Sequence, residues 1–331
     1  MLGLGQIIQR SSEIGKTASI QQNDVLSKFK FRVTDDGGTA ENYACLQADL
    51  QNLTIEPAPF TTGILEFYPG AAAAYSLRQL RRSVFPYAIR VRRSSDSTEQ
   101  DIGFNVNGEL DTNALLAFAG SGDAFVSVWY DQSSNGNDAT QSTEDSQPQI
   151  VSSGVVVTEN GKPALLFDGS DDFMTSGDYI VELSQNSASV FSVSQTSTLS
   201  NNNYMLSEGD SVSPYSSQFI LGGGGVPGGT GILWVNTSSF GTMQTGQHLT
   251  GFDYDQTNFQ AYIDGAASGS AGTATVNAET SIYSYIGRNA TTGAGTFFTG
   301  KIQELITYKS DQSSNRTGIE TNVNDFYSIY S

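Results

Sequence analysis

The chain has 331 residues, of which 15% are charged and 11% aromatic, with 35 glycines and a formal net charge of −18. That length can bury a substantial core, and the Gly-, Ser-, Thr- and Asn-rich composition predicts short strands and many turns rather than long helices. An acidic surface repels phosphate backbones and anionic lipid, which argues against nucleic-acid binding and membrane insertion; a single cysteine, Cys45, and a single histidine, His248, exclude an intrachain disulfide and a multi-histidine metal site.

Met1 to Arg10 places no basic stretch ahead of its short apolar run, so no cleaved signal is expected, and no segment reaches the ~18 apolar residues of a membrane span. Residues 1–60 read as a small attachment region. Within it Val25–Val33 alternates apolar and basic positions, Asp35-Asp-Gly-Gly38 is a turn, and Pro57 and Pro59 close the region. Residues 61–331 read as one domain. Its alanine-rich start, Gly70 to Arg82, predicts a short helix burying Tyr75, Leu77 and Leu80. Ala88–Arg93 predicts a strand with Ile89 and Val91 on one face and Arg90 and Arg92 on the other. Asp111–Phe118 predicts a helix capped by Asp111 or Thr112.

Beyond Trp129 the pattern is a series of short strands: Gln149–Thr158, Ala164–Asp168, Tyr179–Leu183, Ser189–Gln195, Tyr204–Ser207, Gln218–Leu221, Gly231–Val235, His248–Tyr254, Phe259–Asp264 and Ser281–Gly287. Phe259–Gly265 ends in Asp-Gly, a strong hairpin signal. Lys301–Tyr308 is the last strand, and a closing helix runs through Ile319, Val323 and Phe326, with Asp311 or Ser313 as its cap. Many strands with few helices and no fixed-period repeat predict a mainly β, antiparallel sandwich. Charge is unevenly spread: residues 61–93 carry six Lys/Arg against one Asp/Glu, and residues 94–331 carry five against 26. The basic stretch is therefore expected to be neutralised within the fold.

Four blocks resemble a known family: Ala88-Ile-Arg-Val-Arg-Arg-Ser-Ser-Asp96, Trp129-Tyr-Asp-Gln-Ser-Ser-Asn-Gly-Asn137, Gly161-Lys-Pro-Ala-Leu-Leu-Phe-Asp-Gly169 with Asp171 and Asp172, and Gly295-Thr-Phe-Phe-Thr-Gly-Lys301. Together, over roughly residues 70–331, they resemble the concanavalin A-like (laminin-G-like) jelly rolls, and more narrowly the catalytic domain of family 54 α-L-arabinofuranosidases. The resemblance implies a jelly-roll sandwich and places the family's nucleophilic Glu at Glu208. It places the acid/base Asp in Gly287-Arg288-Asn289, where Arg288 cannot act as a proton donor because guanidinium stays charged. Many proteins that carry these blocks are virion components of tailed bacteriophages, in which a start similar to Met1-Leu-Gly-Leu-Gly5 recurs.

The expected function is a structural component of a phage particle, as tail fibre, decoration or host-surface adhesin. It would dock other virion proteins through residues 1–60, assemble as a homo-oligomer and bind host-surface glycan through the jelly roll. The alternatives are an arabinofuranosidase-like glycoside hydrolase working through Glu208 and a secreted lectin. Candidate sugar-contacting residues are Trp129, Tyr130, Asp131, Trp234, Arg288 and Asn289, because aromatic faces stack on sugars and polar side chains fix their hydroxyls. No cofactor is expected beyond calcium, for which Asp168, Asp171 and Asp172 form an acidic turn. The glycine-rich Gly222–Gly225 and Pro227–Gly229 lack the Gly-Lys-Ser/Thr ending of a phosphate loop.

Overall fold

The computed structural model describes residues 63–82, 86–199, 203–210, 217–222, 231–235, 238–276, 282–290 and 297–331. The predicted attachment region, residues 1–60, and most of the two glycine-rich runs lie outside the described residues. No described helix is long and apolar enough to cross a membrane.

A short helix α1 (Ile64–Phe67) leads into β1 (Ala71–Ser76), β2 (Tyr87–Arg93), β3 (Glu99–Gly103), α2 (Thr112–Ala119), β4 (Ala124–Trp129), β5 (Ala139–Thr140), β6 (Gln149–Ser152) and β7 (Val155–Val156). A hairpin of β8 (Thr158–Glu159) and β9 (Lys162–Pro163) precedes β10 (Leu165–Asp168), β11 (Met174–Ser176), β12 (Ala188–Thr196), β13 (Leu206–Asp210) and β14 (Ser217–Leu221). The chain continues through β15 (Leu233–Val235), β16 (Ser238–Phe240), β17 (Gly246–Tyr254), β18 (Phe259–Ile263), β19 (Ala266–Gly272), β20 (Ile282–Ile286), β21 (Thr299–Tyr308) and α3 (Arg316–Tyr327).

The strands pair antiparallel in two layers. One runs β3-β2-β4-β5-β11-β20-β13-β14-β15-β16. In the other, β1 and β10 lie end to end along one edge of β21, followed by β12, β17, β18 and β19. Strand β6 pairs with both β4 and β10 and so joins the layers. Between them lies a core that includes Trp129, Phe167, Val190, Phe219, Phe252, Ile286 and Leu305, with Phe219 of one layer edge-on to Phe252 of the other at 5.6 Å. The chain is a mainly β, antiparallel sandwich, as its composition predicts.

Two local expectations are corrected. The alanine-rich stretch forms strand β1, buried along its whole length. Ala73 and Tyr75 face the core, while Ala71 and Ala74 face a second cluster with Ile306, Ile319 and Val323 under α3. Alanine's helix propensity of a few tenths of a kcal/mol loses to burial on both faces, and its small side chain lets α3 approach the sheet. Residues Tyr179–Leu183 form a loop instead of a strand. At the termini of helices, Asp111 caps α2 by accepting from the Ala114 amide, whereas α3 begins after Asn315, and Asp311 instead accepts from the Ser313 amide in the preceding turn.

Four of the six arginines in the basic segment are paired with carboxylates. Arg78 is held by Glu304, Arg90 by Asp101, Arg92 by Glu144 and Arg93 by Asp96.

Candidate functional site

Strand register decides which side chains share a face. In the β2-to-β16 layer, one row of partners runs Ile89, Trp129, Ala139, Ser176, Ser284, Glu208, Phe219 and Val235. Every member is buried, so this row faces the interior. The adjacent row runs Arg90, Val128, Thr140, Thr175, Tyr285, Ser207, Ile220, Trp234 and Ser239 on the opposite, outer face, where Ser207 and Ile220 are covered and the other members are half-buried or exposed.

Glu208 therefore points into the sandwich and is 0% exposed. Its Oε1 accepts from the Ile180 amide (2.8 Å), the Val181 amide (2.8 Å) and Ser284 Oγ (2.6 Å), and its Oε2 accepts from the Glu182 amide (2.8 Å). Burial pushes its pKa up, and these donors pull it back. The carboxylate serves as the anchor that folds the 179–183 loop over the end of the layer.

Trp129 is also on the inner row, fully buried against Tyr75 at 5.7 Å between ring centres. It is a core residue, not a sugar platform. Tyr130 donates to Asp101 (2.7 Å), the same carboxylate that Arg90 grips through two hydrogen bonds. Asp131 is buried and organises the loop after β4. Its Oδ1 accepts from the Ala74 and Ser133 amides, each at 2.8 Å, and its Oδ2 from Ser133 Oγ (2.6 Å) and the Asn137 amide (3.0 Å). Gln132 bonds the carbonyls of Ser76 and Arg78 and the Leu80 amide, while Asn135 and Asn137 donate to the Ala72 carbonyl. From Asp131 to Asn137 the block thus completes the free edge of β1. Trp234 lies on the outward row, half-buried.

Arg288 follows the outward end of β20. Gly287 makes the turn with φ +89°, and a Cβ there would lie 2.5 Å from the Phe167 ring. Ser207 Oγ donates to the Arg288 carbonyl (2.8 Å), which ties this segment over the outward row. The guanidinium lies 4.6 Å from the Phe173 ring centre and 4.5 Å from that of Tyr285. Around it the aromatic rings form a ladder: Tyr283 to Tyr285 at 6.3 Å, Tyr285 to Phe173 at 6.2 Å, and Phe173 to Phe297 at 6.4 Å. Tyr283 is 42% exposed. Asn289 is buried, and its carbonyl accepts from Arg288 Nε (3.2 Å). Along the same face a shallow groove is lined by Arg90, Ser127, Thr140, Gln141 and Gln147, and Gln141 donates to the Phe173 carbonyl (3.0 Å).

Solved structures now give the sandwich a comparison. No model of a known protein family matches the sequence, and no curated protein matches it. An arabinofuranosidase complexed with arabinofuranosyl-α-1,2-xylobiose is similar at 17% identity with a TM-score of 0.59, over 78% of this chain and 64% of that one. A glycoside hydrolase family 54 α-L-arabinofuranosidase soaked with a cyclic sulfate inhibitor gives 16% and 0.61 over the same shares. The chain shares their β-sandwich fold. It spans 64% of their length.

On that sandwich, register puts the two positions singled out by resemblance on opposite faces: Glu208 inward and the Arg288 guanidinium outward beside Tyr285. The sequence reading missed Phe173, Tyr283, Tyr285 and Phe297. Tyr283-Ser-Tyr285 carried a signal, since alternate residues of a strand share a face.

The acidic turn is compact: carboxylate oxygens of Asp168, Asp171 and Asp172 all lie within 4.8 Å of one another. Asp168 Oδ1 accepts from the Ser170 amide (2.7 Å) and Asp172 Oδ2 from the Asp168 amide (2.9 Å). The all-oxygen donor set suits a hard cation. Burial first, then repulsion by Asp168 and Asp171, pushes the Asp172 carboxyl up to about 7, while the Asp168 amide opposes the rise. His248 is taken up by Asp264, 2.7 Å from its Nδ1.

Proposed function

We propose that the chain is a glycan-binding β-sandwich of the concanavalin A-like type, without hydrolytic activity, that presents the Phe173–Tyr283–Tyr285–Phe297 face to sugar. The observation that carries this reading is the division of labour between the two faces. The carboxylate that could serve as a nucleophile is buried as a loop anchor, while the outward face carries the exposed Tyr283 beside the half-buried Phe173, Tyr285 and Phe297. A retaining glycosidase needs two carboxylates about 5–5.5 Å apart with sugar between them, and Arg288 stands where the second would be expected.

The proposal extends to setting. The sequence blocks and the separate amino-terminal region favour a phage particle protein, docked through residues 1–60 and displayed in several copies, so that weak contacts to a host-surface glycan add up to avidity. A calcium ion at Asp168, Asp171 and Asp172 belongs to the same proposal; calcium raising Tm in the wild type but not in Asp168→Asn would support it.

Glycan-array binding by the full chain, lost in Tyr283→Ala, is the expected result. A featureless array would sink the binding role. A hydrolase would instead release nitrophenol from 4-nitrophenyl α-L-arabinofuranoside and lose that turnover in Glu208→Gln. Mass spectrometry of purified virions tests the setting, and absence of the protein from them would remove it.

A further inference from the structure

Arg288 differs from the other half-buried or buried arginines in what its terminal nitrogens meet: Arg81 gives Nη1 to the Ser133 carbonyl and to Ser134 Oγ. Arg78, Arg90, Arg92, Arg93 and Arg316 each meet a carboxylate. Arg288 meets none among the described residues, and its hydrogen bond there is the one from Nε to the Asn289 carbonyl. The segment 291–296 that follows it, Thr-Thr-Gly-Ala-Gly-Thr, contains no acidic residue. Burial accordingly lowers its pKa, with only Tyr285 opposing. Desolvating a guanidinium without an anion is costly, and the cation–π contacts to Phe173 and Tyr285 offset part of that cost. The two ring centres are 6.2 Å apart, so both rings lie to one side of the guanidinium, and Nη1 and Nη2, which make no hydrogen bond among the described residues, are left for a planar acceptor. That pair of nitrogens matches a carboxylate in bidentate geometry. One ring further along, the exposed face of Tyr283 is positioned to stack on a sugar.

We infer that Arg288 is a specificity residue for acidic sugars: its fork binds the carboxylate of a uronic-acid-type residue while an adjoining ring of the same glycan stacks on Tyr283. This rests on the proposal that the outward face binds glycan. The net charge of −18 repels an anionic ligand at long range, so the preference arises from contact geometry and not from steering.

The test is calorimetric titration of the full chain with trigalacturonate, with the carboxyl-reduced (neutral) trisaccharide, and with a sulfated trigalactoside. Wild type is expected to bind trigalacturonate at least about tenfold more tightly than the other two. That preference should disappear in Arg288→Gln and shrink in Arg288→Lys, which keeps the charge but loses the fork; circular dichroism checks that both variants fold. Equal affinity of wild type for the acidic and neutral sugars, or a preference that survives in Arg288→Gln, overturns the inference and leaves the glycan-binding face standing. A sulfated sugar bound as tightly as trigalacturonate overturns the choice of carboxylate. Binding of none of the three overturns the inference, and the glycan array then decides whether the reading beneath it stands.

Discussion

At Asp253 burial outweighs every other influence: its carboxyl is pushed up to about 6 by desolvation first, with Ser189 pulling it down, Asp311 and Glu320 raising it and Arg316 lowering it. Its Oδ1 accepts from Ser189 Oγ, and its Oδ2 has no hydrogen-bond partner among the described residues. Because the folded pKa lies above the unfolded value near 4, the folded state holds a proton between about pH 4 and 6 that the unfolded chain has released. The contribution to stability is greatest below pH 4 and falls as pH rises to about 6, by up to about 3 kcal/mol for a shift of this size. Thermal melts of Asp253→Asn across pH 4–8 should match wild type at pH 4 and lie above it at pH 7. A variant less stable than wild type at pH 7 would show that the carboxylate is stabilised there after all. Glu208 makes the same point about role: Met-Leu-Ser-Glu-Gly-Asp reads alike for a catalytic and an anchoring carboxylate, and only the amides of Ile180, Val181 and Glu182 decide between them.

Among the elements, α3 and β1 depend on each other through one buried ion pair. Glu304 accepts from Arg78 Nε (2.7 Å) and Nη2 (2.8 Å), from Ser76 Oγ (2.7 Å) and from Tyr327 OH (3.2 Å) of α3. The Arg78 side chain is 10% exposed and that of Glu304 1%. Glu304→Gln leaves the guanidinium buried without its counter-charge, and denaturant titration should register a loss of about 3–5 kcal/mol. Replacing both partners by apolar residues, Arg78→Met with Glu304→Leu, should recover part of that loss. A loss under about 1 kcal/mol in the single variant would mean that water reaches the pair. Strands with clean alternation were legible beforehand: Ala88–Arg93 and Phe259–Asp264 appear as β2 and β18 with their neighbours. The alanine-rich strand was not, because the forces that hold it extended come from residues far along the chain. They are Asp131, Gln132, Asn135 and Asn137 on one edge and β21 on the other.

For the molecule as a whole, a net charge of −18 on one sandwich and its amino-terminal region implies self-repulsion that ions can screen. The screening length falls from about 30 Å at 10 mM salt to about 8 Å at 150 mM. Tm should therefore rise over that range of sodium chloride, measured by calorimetry at pH 7.5. A Tm that falls with salt would mean that the ion pairs around Arg78 to Arg93 outweigh the general repulsion. By itself the sequence determined the mainly β class, most strand positions, the capped helix after Asp111 and the pairing of most of the basic segment with carboxylates, because alternation, turn residues and charge are local properties. The tertiary structure alone decided that Glu208 faces inward, that Trp129 is core, and that Tyr283, Tyr285, Phe173 and Arg288 share the outer face. A one-residue change of register would reverse each of these assignments, and register is fixed by partners that the local sequence does not name.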